Sequence, residues 1–306
     1  MNGSQAQCQL DLPYAALETT GHRMGFGELR SVRPLGTGAA NESFRIEFSR
    51  WTLVYKRALD GHNPRLRQEF DLLHHPRNVW GPRAWSHFET PDGLLEDLVP
   101  GKHLFVHTTQ QAFALGRHLH RLHTADASGL PHLDAPGCKA YLAHRLLPQW
   151  EELWPLAPLE VLRRVERALL TFEAEAPYWD ECSSERSHVL VHTDLIPLNI
   201  LFQNSDRCSF LDWEWARMDV PEWDLASLLK AFRFEPSAVA AFWEGYALPF
   251  DPGRLRAVSA MHCCNVALWR LRCLHVRHEH QDSPLFRKEL EEELGWLDRN
   301  LELRRL

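Results

Sequence analysis

The stretch from Val189 to Asp212 constrains the fold of this chain more than any other part of it. A short apolar run, Val189-Leu190-Val191, ends abruptly in His192-Thr193-Asp194. A tight loop containing Pro197 leads to Asn199, and a second apolar run, Ile200-Leu201-Phe202, begins at once. Gln203 to Arg207 are polar and reverse the chain, and Cys208 to Leu211 form a third run that stops at Asp212. Such short runs between polar turns read as strands. The expectation is a small sheet with Asp194, Asn199 and Asp212 gathered at one end.

Two carboxylates and a neutral amide at such an end suit phosphoryl transfer. One carboxylate, Asp194, orients a hydroxyl and takes its proton. The other, Asp212, and the amide oxygen of Asn199 hold magnesium against nucleotide phosphates. A single Asp or Asn after a strand usually makes a turn or a cap, so the joint pattern carries the reading. Asn199 follows Asp194 by five residues and Asp212 follows Asn199 by thirteen. That spacing resembles the kinase catalytic set His-x-Asp-x-x-x-x-Asn with its later metal-binding Asp.

The residues that follow, Asp212-Trp213-Glu214-Trp215-Ala216 and Pro221-Glu222-Trp223-Asp224-Leu225-Ala226, narrow the resemblance. They look like the small-molecule branch: aminoglycoside phosphotransferases, choline and ethanolamine kinases, and bacterial thiamine-kinase-like proteins. That branch has Gly or Asn where Thr193 stands. The resemblance implies an α+β, protein-kinase-like two-lobed fold. A β-rich N-terminal lobe would span 1–98. A mainly helical C-terminal lobe with an embedded catalytic hairpin would span 99–306. It implies ATP, with GTP left open, magnesium, and a small-molecule hydroxyl acceptor. In the family the residue matching Asp224 braces the catalytic loop, and His192 reads as scaffold. No Asp-Phe-Gly or Ala-Pro-Glu activation segment is recognisable, which argues against a protein kinase.

The first third of the chain reads as strands at Leu29–Leu35, Glu42–Phe48 and Trp51–Leu59, a helix at Arg65–His74, and a hairpin of Trp85–Thr90 with Leu94–Leu98. Small residues around Gly36 and Gly38 let backbone N–H groups approach phosphate oxygens. The family has a similar loop followed by Asn, which implies contacts from Asn41 and Ser43. Lys56 is the only lysine in the first hundred residues, and a point-like ammonium suits nucleotide phosphates. Glu69 is the only glutamate between Lys56 and Glu89, so it is the expected partner of that ammonium, with Asp71 as fallback. Leu94 to Gly101 resembles the family hinge, which implies adenine recognition near Glu96 and Leu98.

Beyond Val99-Pro100-Gly101 the chain reads as helices at Gln110–His123, Ala140–Leu153, Pro158–Ala176, Trp223–Phe232, Pro236–Tyr246, Pro252–His275 and Pro284–Leu303. Acceptor candidates are Glu214, Asp219, Glu222 and Trp215. Carboxylates suit amine-bearing sugars, and aromatic faces suit quaternary ammonium or thiazolium groups. Trp-Glu-Trp resembles the choline and thiamine branch more than the antibiotic branch. The expected acceptor is a cationic alcohol of the choline, ethanolamine or thiamine kind, with an aminoglycoside or other antibiotic as the alternative. A nucleotide-binding pseudokinase would lack a catalytic group, whereas Lys56, Asp194, Asn199 and Asp212 are all present.

Composition excludes other classes. A net charge of -7 argues against a nucleic-acid partner. Seven cysteines without a CxxC pair make neither a disulfide framework nor a zinc module, and suit a reduced cytoplasm. Met1 to Leu10 lacks a leader pattern, and no apolar run nears the roughly 20 residues of a membrane helix. The histidines at 118, 120 and 123, and at 275, 278 and 280, read as packing rather than metal ligands. A monomer and a homodimer are both open.

Overall fold

The computed structural model describes residues 12–302 except 39, 79, 104–107, 128–129, 131–136, 182–187, 233–234 and 278–282. The readings of Met1 to Leu10, Ala39, His278 and His280 lie outside the described residues. The chain divides into two compact units, Met1–Pro100 and Gly101–Leu306.

The first unit opens with a helix, α1 (Tyr14–Arg23), followed by β1 (Leu29–Thr37), β2 (Asn41–Phe48) and β3 (Thr52–Ala58). Helix α2 (Pro64–Leu73) precedes the hairpin β4 (Ala84–Glu89) and β5 (Asp92–Asp97). The strands form one antiparallel sheet in the order β1-β2-β3-β5-β4. Period-two alternation sorts its faces. Phe44, Ile46, Phe48, Leu53, Tyr55 and Leu95 build the apolar core with Leu17 of α1 and with Phe26. On the other face Ser43 lies opposite Lys56, Lys56 opposite Leu94, and Val54 opposite Glu96. Directly opposed residues share a face, so these side chains stand together. Helix α2 starts at a sequence-legible cap: Asn63 accepts from the Arg65 N–H, and Pro64 occupies the first turn. Helix α1 is not foreseen from its sequence. Leu-Glu-Thr-Thr-Gly is a weak helix former, and tertiary burial of Leu17, Thr20 and Gly21 sustains it.

The second unit is mainly helical. Helix α3 (Thr109–His123) has a full capping box between Thr108 and Gln111. It crosses α8 (Pro236–Tyr246) at two glycines. A Cβ on Gly116 would sit 2.2 Å from the Phe242 carbonyl oxygen, and one on Gly245 would sit 2.2 Å from that of Phe113. Helices α4 (Cys138–Tyr141), α5 (Leu147–Leu153), α6 (Leu159–Glu181), α7 (Glu222–Phe232), α9 (Pro252–His275) and α10 (Pro284–Glu302) complete the helical set among the described residues. Their core includes Leu146, Val165, Leu268, Leu271 and Leu294. No described helix is long and apolar enough to cross a membrane.

Three expectations are corrected here. The single helix expected over Ala140–Leu153 is interrupted by a π-turn at Leu142–Leu146, just before Pro148, which has no N–H to donate. The helix expected to stop at Ala176 continues through Pro177 to Glu181. The catalytic stretch does not form one sheet. β6 (Val189–Val191) pairs with β9 (Arg217–Asp219), while β7 (Ile200–Asn204) pairs with β8 (Arg207–Phe210). Arg-Met-Asp has no apolar alternation to mark β9 as a strand.

Candidate active site

The loop between β6 and β7 is held almost entirely by bonds to backbone. His192 is buried, and its Nε2 donates to the Leu211 carbonyl at 2.8 Å. Its Nδ1 accepts the Asp194 N–H at 3.3 Å. The Leu211 N–H donates to the Asn199 carbonyl at 2.8 Å. Leu211 is therefore fixed on both sides, one residue before Asp212. Thr193 and Asp212 both have left-handed backbone, with φ of 69° and 65°. The Gly or Asn of the resembling family tolerates that conformation better than Thr does.

Asp224, fully buried at the start of α7, braces the loop from beneath. It accepts the His192 N–H at 3.0 Å, the Thr193 N–H at 2.6 Å, and His123 Nε2 at 2.9 Å. His123 Nδ1 in turn meets the Tyr246 hydroxyl at 2.9 Å, and His120 meets the Tyr246 carbonyl. His120 and His123 are thus tied to Tyr246 and Asp224; among the described residues no group of three or more His, Cys, Asp and Glu could hold a metal.

The amide of Asn199 donates to both the carbonyl and the carboxylate Oδ2 of Asp194, each at 2.9 Å. Its Nδ2 is thus spent on Asp194, and its Oδ1 faces elsewhere. Asn199 Oδ1 and the Asp212 carboxylate are hard oxygen donors, and a magnesium ion completed by phosphates and water needs few protein ligands. The donor set fits that ion. Burial pushes the Asp194 carboxyl up to about 6, and the negative charges of Asp212 and Glu214 push the same way. Arg145 and the Asn199 hydrogen bond oppose them.

In the first unit Lys56 Nζ donates to both oxygens of Glu69, at 2.9 and 2.8 Å, and both side chains are buried. Asp71, the fallback, is occupied by Arg67 one turn away. Asn41 is buried and accepts from Asn63 Nδ2 at 3.1 Å. Space is open where a Cβ on Gly36 would sit, and the Gly38 N–H donates to the Asn41 carbonyl at 2.7 Å. Ser43 shares the Lys56 face through their register. Glu96 is buried within β5, and Leu98 follows the strand, half-buried.

The acceptor candidates separate into two groups. Asp219 is fully buried, and its carboxylate is committed to Arg217 Nε at 2.8 Å and the Val220 N–H at 2.8 Å. Glu222 is also buried, with Oε1 accepting the Asp251 N–H that begins α9. Both carboxylates are engaged by the protein's own groups. Glu214 and Trp215 stay beside Asp194. Trp215 Nε1 donates to Glu214 Oε1 at 2.9 Å, and the Trp215 carbonyl accepts Thr193 Oγ1 at 3.0 Å. The Arg145 guanidinium carbon lies 3.3 Å from the centre of the Trp215 ring. Sequence reading passed over Arg145, because an arginine on a helix carries no signal of what it covers.

The phosphotransferase enzyme family model matches residues 31–258. Among curated proteins, a homoserine kinase of Gluconobacter oxydans is 33% identical over 141 residues, covering 43% of this chain and 42% of that protein. A homoserine kinase of Brucella canis is 29% identical over 116 residues, covering 36% and 35%. These alignments span about two fifths or less of the curated relatives' length. A solved putative aminoglycoside phosphotransferase from Ralstonia eutropha has a TM-score of 0.66 at 16% identity, covering 94% of this chain and 97% of that one. A choline kinase from Cryptosporidium parvum scores 0.64 at 14% identity, covering 90% of each chain. A spectinomycin phosphotransferase solved with ADP and spectinomycin scores 0.61 at 14% identity, covering 94% of each chain. These likenesses establish the protein-kinase-like fold.

Proposed function

The chain belongs to the phosphotransferase enzyme family; from that premise we propose that it is a kinase that phosphorylates a hydroxyl of a small molecule, using ATP and magnesium, with Asp194 as the base. The observation that carries this reading is the clamp of Asn199 on Asp194, with Asp212 next to the backbone-fixed Leu211. Asp194 would orient the acceptor hydroxyl and take its proton as the oxygen attacks the γ-phosphorus. A carboxyl near 6 is ionised at neutral pH yet basic enough to accept a proton in the transition state. Asn199 and Asp212 would hold magnesium, which would supply charge neutralisation on the phosphates. Lys56, fixed by Glu69, would meet the α- and β-phosphates. Gly36, Gly38, Asn41 and Ser43 would line them, with Glu96 and Leu98 near adenine. The neighbour solved with ADP supports nucleotide use.

The acceptor in this proposal is a small alcohol bearing an ammonium group, because Asp194, Asp212 and Glu214 form an acidic surround. Cation–π capture on the Trp215 face that Arg145 covers is not part of it. The curated homoserine kinases favour a second reading within the same class, a hydroxy amino acid. The proposal includes a cytoplasmic setting, and the described cysteines are all buried.

Magnesium-ATP turnover against choline, ethanolamine, thiamine, homoserine and kanamycin tests the reading. Transfer to one of them, lost in Asp194→Asn with ATP affinity kept, is the expected result. Wild-type turnover in Asp194→Asn would remove Asp194 from the mechanism.

A further inference from the structure

A side-chain helix cap needs only an oxygen. Asn63 caps α2 by accepting the Arg65 N–H on Oδ1 at 3.1 Å, and Ser, Thr or Asp would serve there as well. What an asparagine adds is an amide nitrogen. Asn63 Nδ2 donates to Asn41 Oδ1 at 3.1 Å. Asn41 is buried and begins β2 directly after the glycine turn, which its carbonyl closes by accepting the Gly38 N–H at 2.7 Å. One carboxamide therefore holds the turn of Gly36 and Gly38 with one end and the start of α2 with the other. The main chain of Asn63 is itself pinned. Its N–H donates to Asp92 Oδ2 at 2.9 Å, and the buried Asp92 carboxylate also meets His87 Nε2 at 2.8 Å. The β4–β5 hairpin is thus the fixed base of the link.

The link joins two parts that serve one purpose in the kinase reading. The turn would present backbone to the phosphates, and α2 carries Glu69, whose two oxygens hold Lys56. A relative shift of about 1 Å between turn and helix start would break the bond from Nδ2 to Asn41. We propose that Asn63 is a positioning residue for the nucleotide phosphates, its carboxamide setting the glycine turn and the Lys56–Glu69 pair in one register. This rests on the kinase reading above and assigns how the phosphate-binding parts of that site are held together.

Asn63→Ser separates the two bonds, because serine keeps the cap and its shorter side chain does not reach Asn41. Calorimetry with magnesium and ADP, and with adenosine, needs no turnover. The variant should bind ADP about fivefold more weakly, the loss expected of one neutral hydrogen bond, and adenosine with unchanged affinity. Unchanged ADP affinity overturns the proposal. So does an equal loss for ADP and adenosine, which a general loosening of the unit would give. Asn41→Ala supplies the second arm. In that background Asn63→Ser should weaken ADP binding by less than about 1.5-fold, because the bond it removes is already gone. The same loss in both backgrounds means that Asn63 acts as a cap alone and overturns the proposal. Each of these failures leaves the kinase reading standing, whereas a wild type that binds no ADP would sink the reading and the proposal together.

Discussion

The two units fix their principal charged groups by opposite means. Lys56 is met by a full counter-charge, both oxygens of Glu69, brought by a helix packed on its own sheet. The Asp194 carboxylate is met by an amide and by neighbouring charges mostly of its own sign. The contrast follows from what each group would do. An ammonium that only attracts phosphates benefits from a partner that keeps it charged and in place. A base must hold its proton affinity, and a tight cation would take that away. The Asp194 carboxyl, raised to about 6, shows the consequence.

Asp194→Asn tests that contrast with the largest expected effect. It keeps the Asn199 geometry nearly intact and removes the base, so kcat should fall by about a thousandfold while ATP affinity changes by less than about threefold. A parallel loss of ATP affinity would mean that Asp194 is a nucleotide contact. Asp224→Ala comes next, removing three hydrogen bonds from a buried carboxylate. Unfolding by urea should show about 3–5 kcal/mol of lost stability, the range for breaking a buried charged network. Glu69→Gln is smaller, at about 2 kcal/mol, with KM for ATP rising about tenfold, because it leaves Lys56 a neutral partner. If Glu69→Gln left KM for ATP unchanged, the counter-charge would be ornamental and the contrast would fail.

The two units also differ in how much of them can be read from sequence. Apolar alternation marks the strands that carry Ser43, Lys56 and Glu96, whose shared face is set by the cross-strand register, and elimination along a short helix singles out Glu69. Those are periodic or local signals. In the second unit the motif spacing marks Asp194, Asn199 and Asp212, but the pairing of β6 with β9 is set by long-range contacts that three polar-rich residues do not announce. Asp219 and Glu222 read as acceptor candidates because a carboxylate near a motif reads the same whether it is exposed or buried, as Asp219 is against Arg217 and Glu222 against the Asp251 N–H. Pro148 marks a break in the helix at the π-turn that carries Arg145, but nothing local tells that Arg145 covers Trp215.

A pH prediction tests whether buried charge placement also governs stability in the second unit. Burial, and the nearby charges of Lys230 and Arg145, push the His262 imidazole down to about 3. The folded ring stays neutral while the unfolded one protonates near 6.5. The contribution is therefore fully present above about pH 6.5 and is lost as pH falls toward 3. Replacing His262 by Gln should flatten that part of the stability profile by about 1–2 kcal/mol, read from urea midpoints at pH 7 and pH 5.

The smallest effect bears most directly on how the catalytic loop is held. Thr193 has a β-branched side chain at a φ of 69°, which costs about 1–2 kcal/mol. Its hydroxyl donates to the Trp215 carbonyl, a bond worth about 1 kcal/mol. Thr193→Gly removes the strain and the bond together and frees the unfolded chain, so its net effect should be within about 0.5 kcal/mol of zero. Thr193→Asn relieves much of the strain and keeps a polar side chain, so it should stabilise by about 0.5–1 kcal/mol. Urea titrations of the two variants separate the contributions. Should Gly stabilise more than Asn, the hydroxyl bond to Trp215 would contribute nothing. The loop would then rest on Asp224, Asn199 and His192.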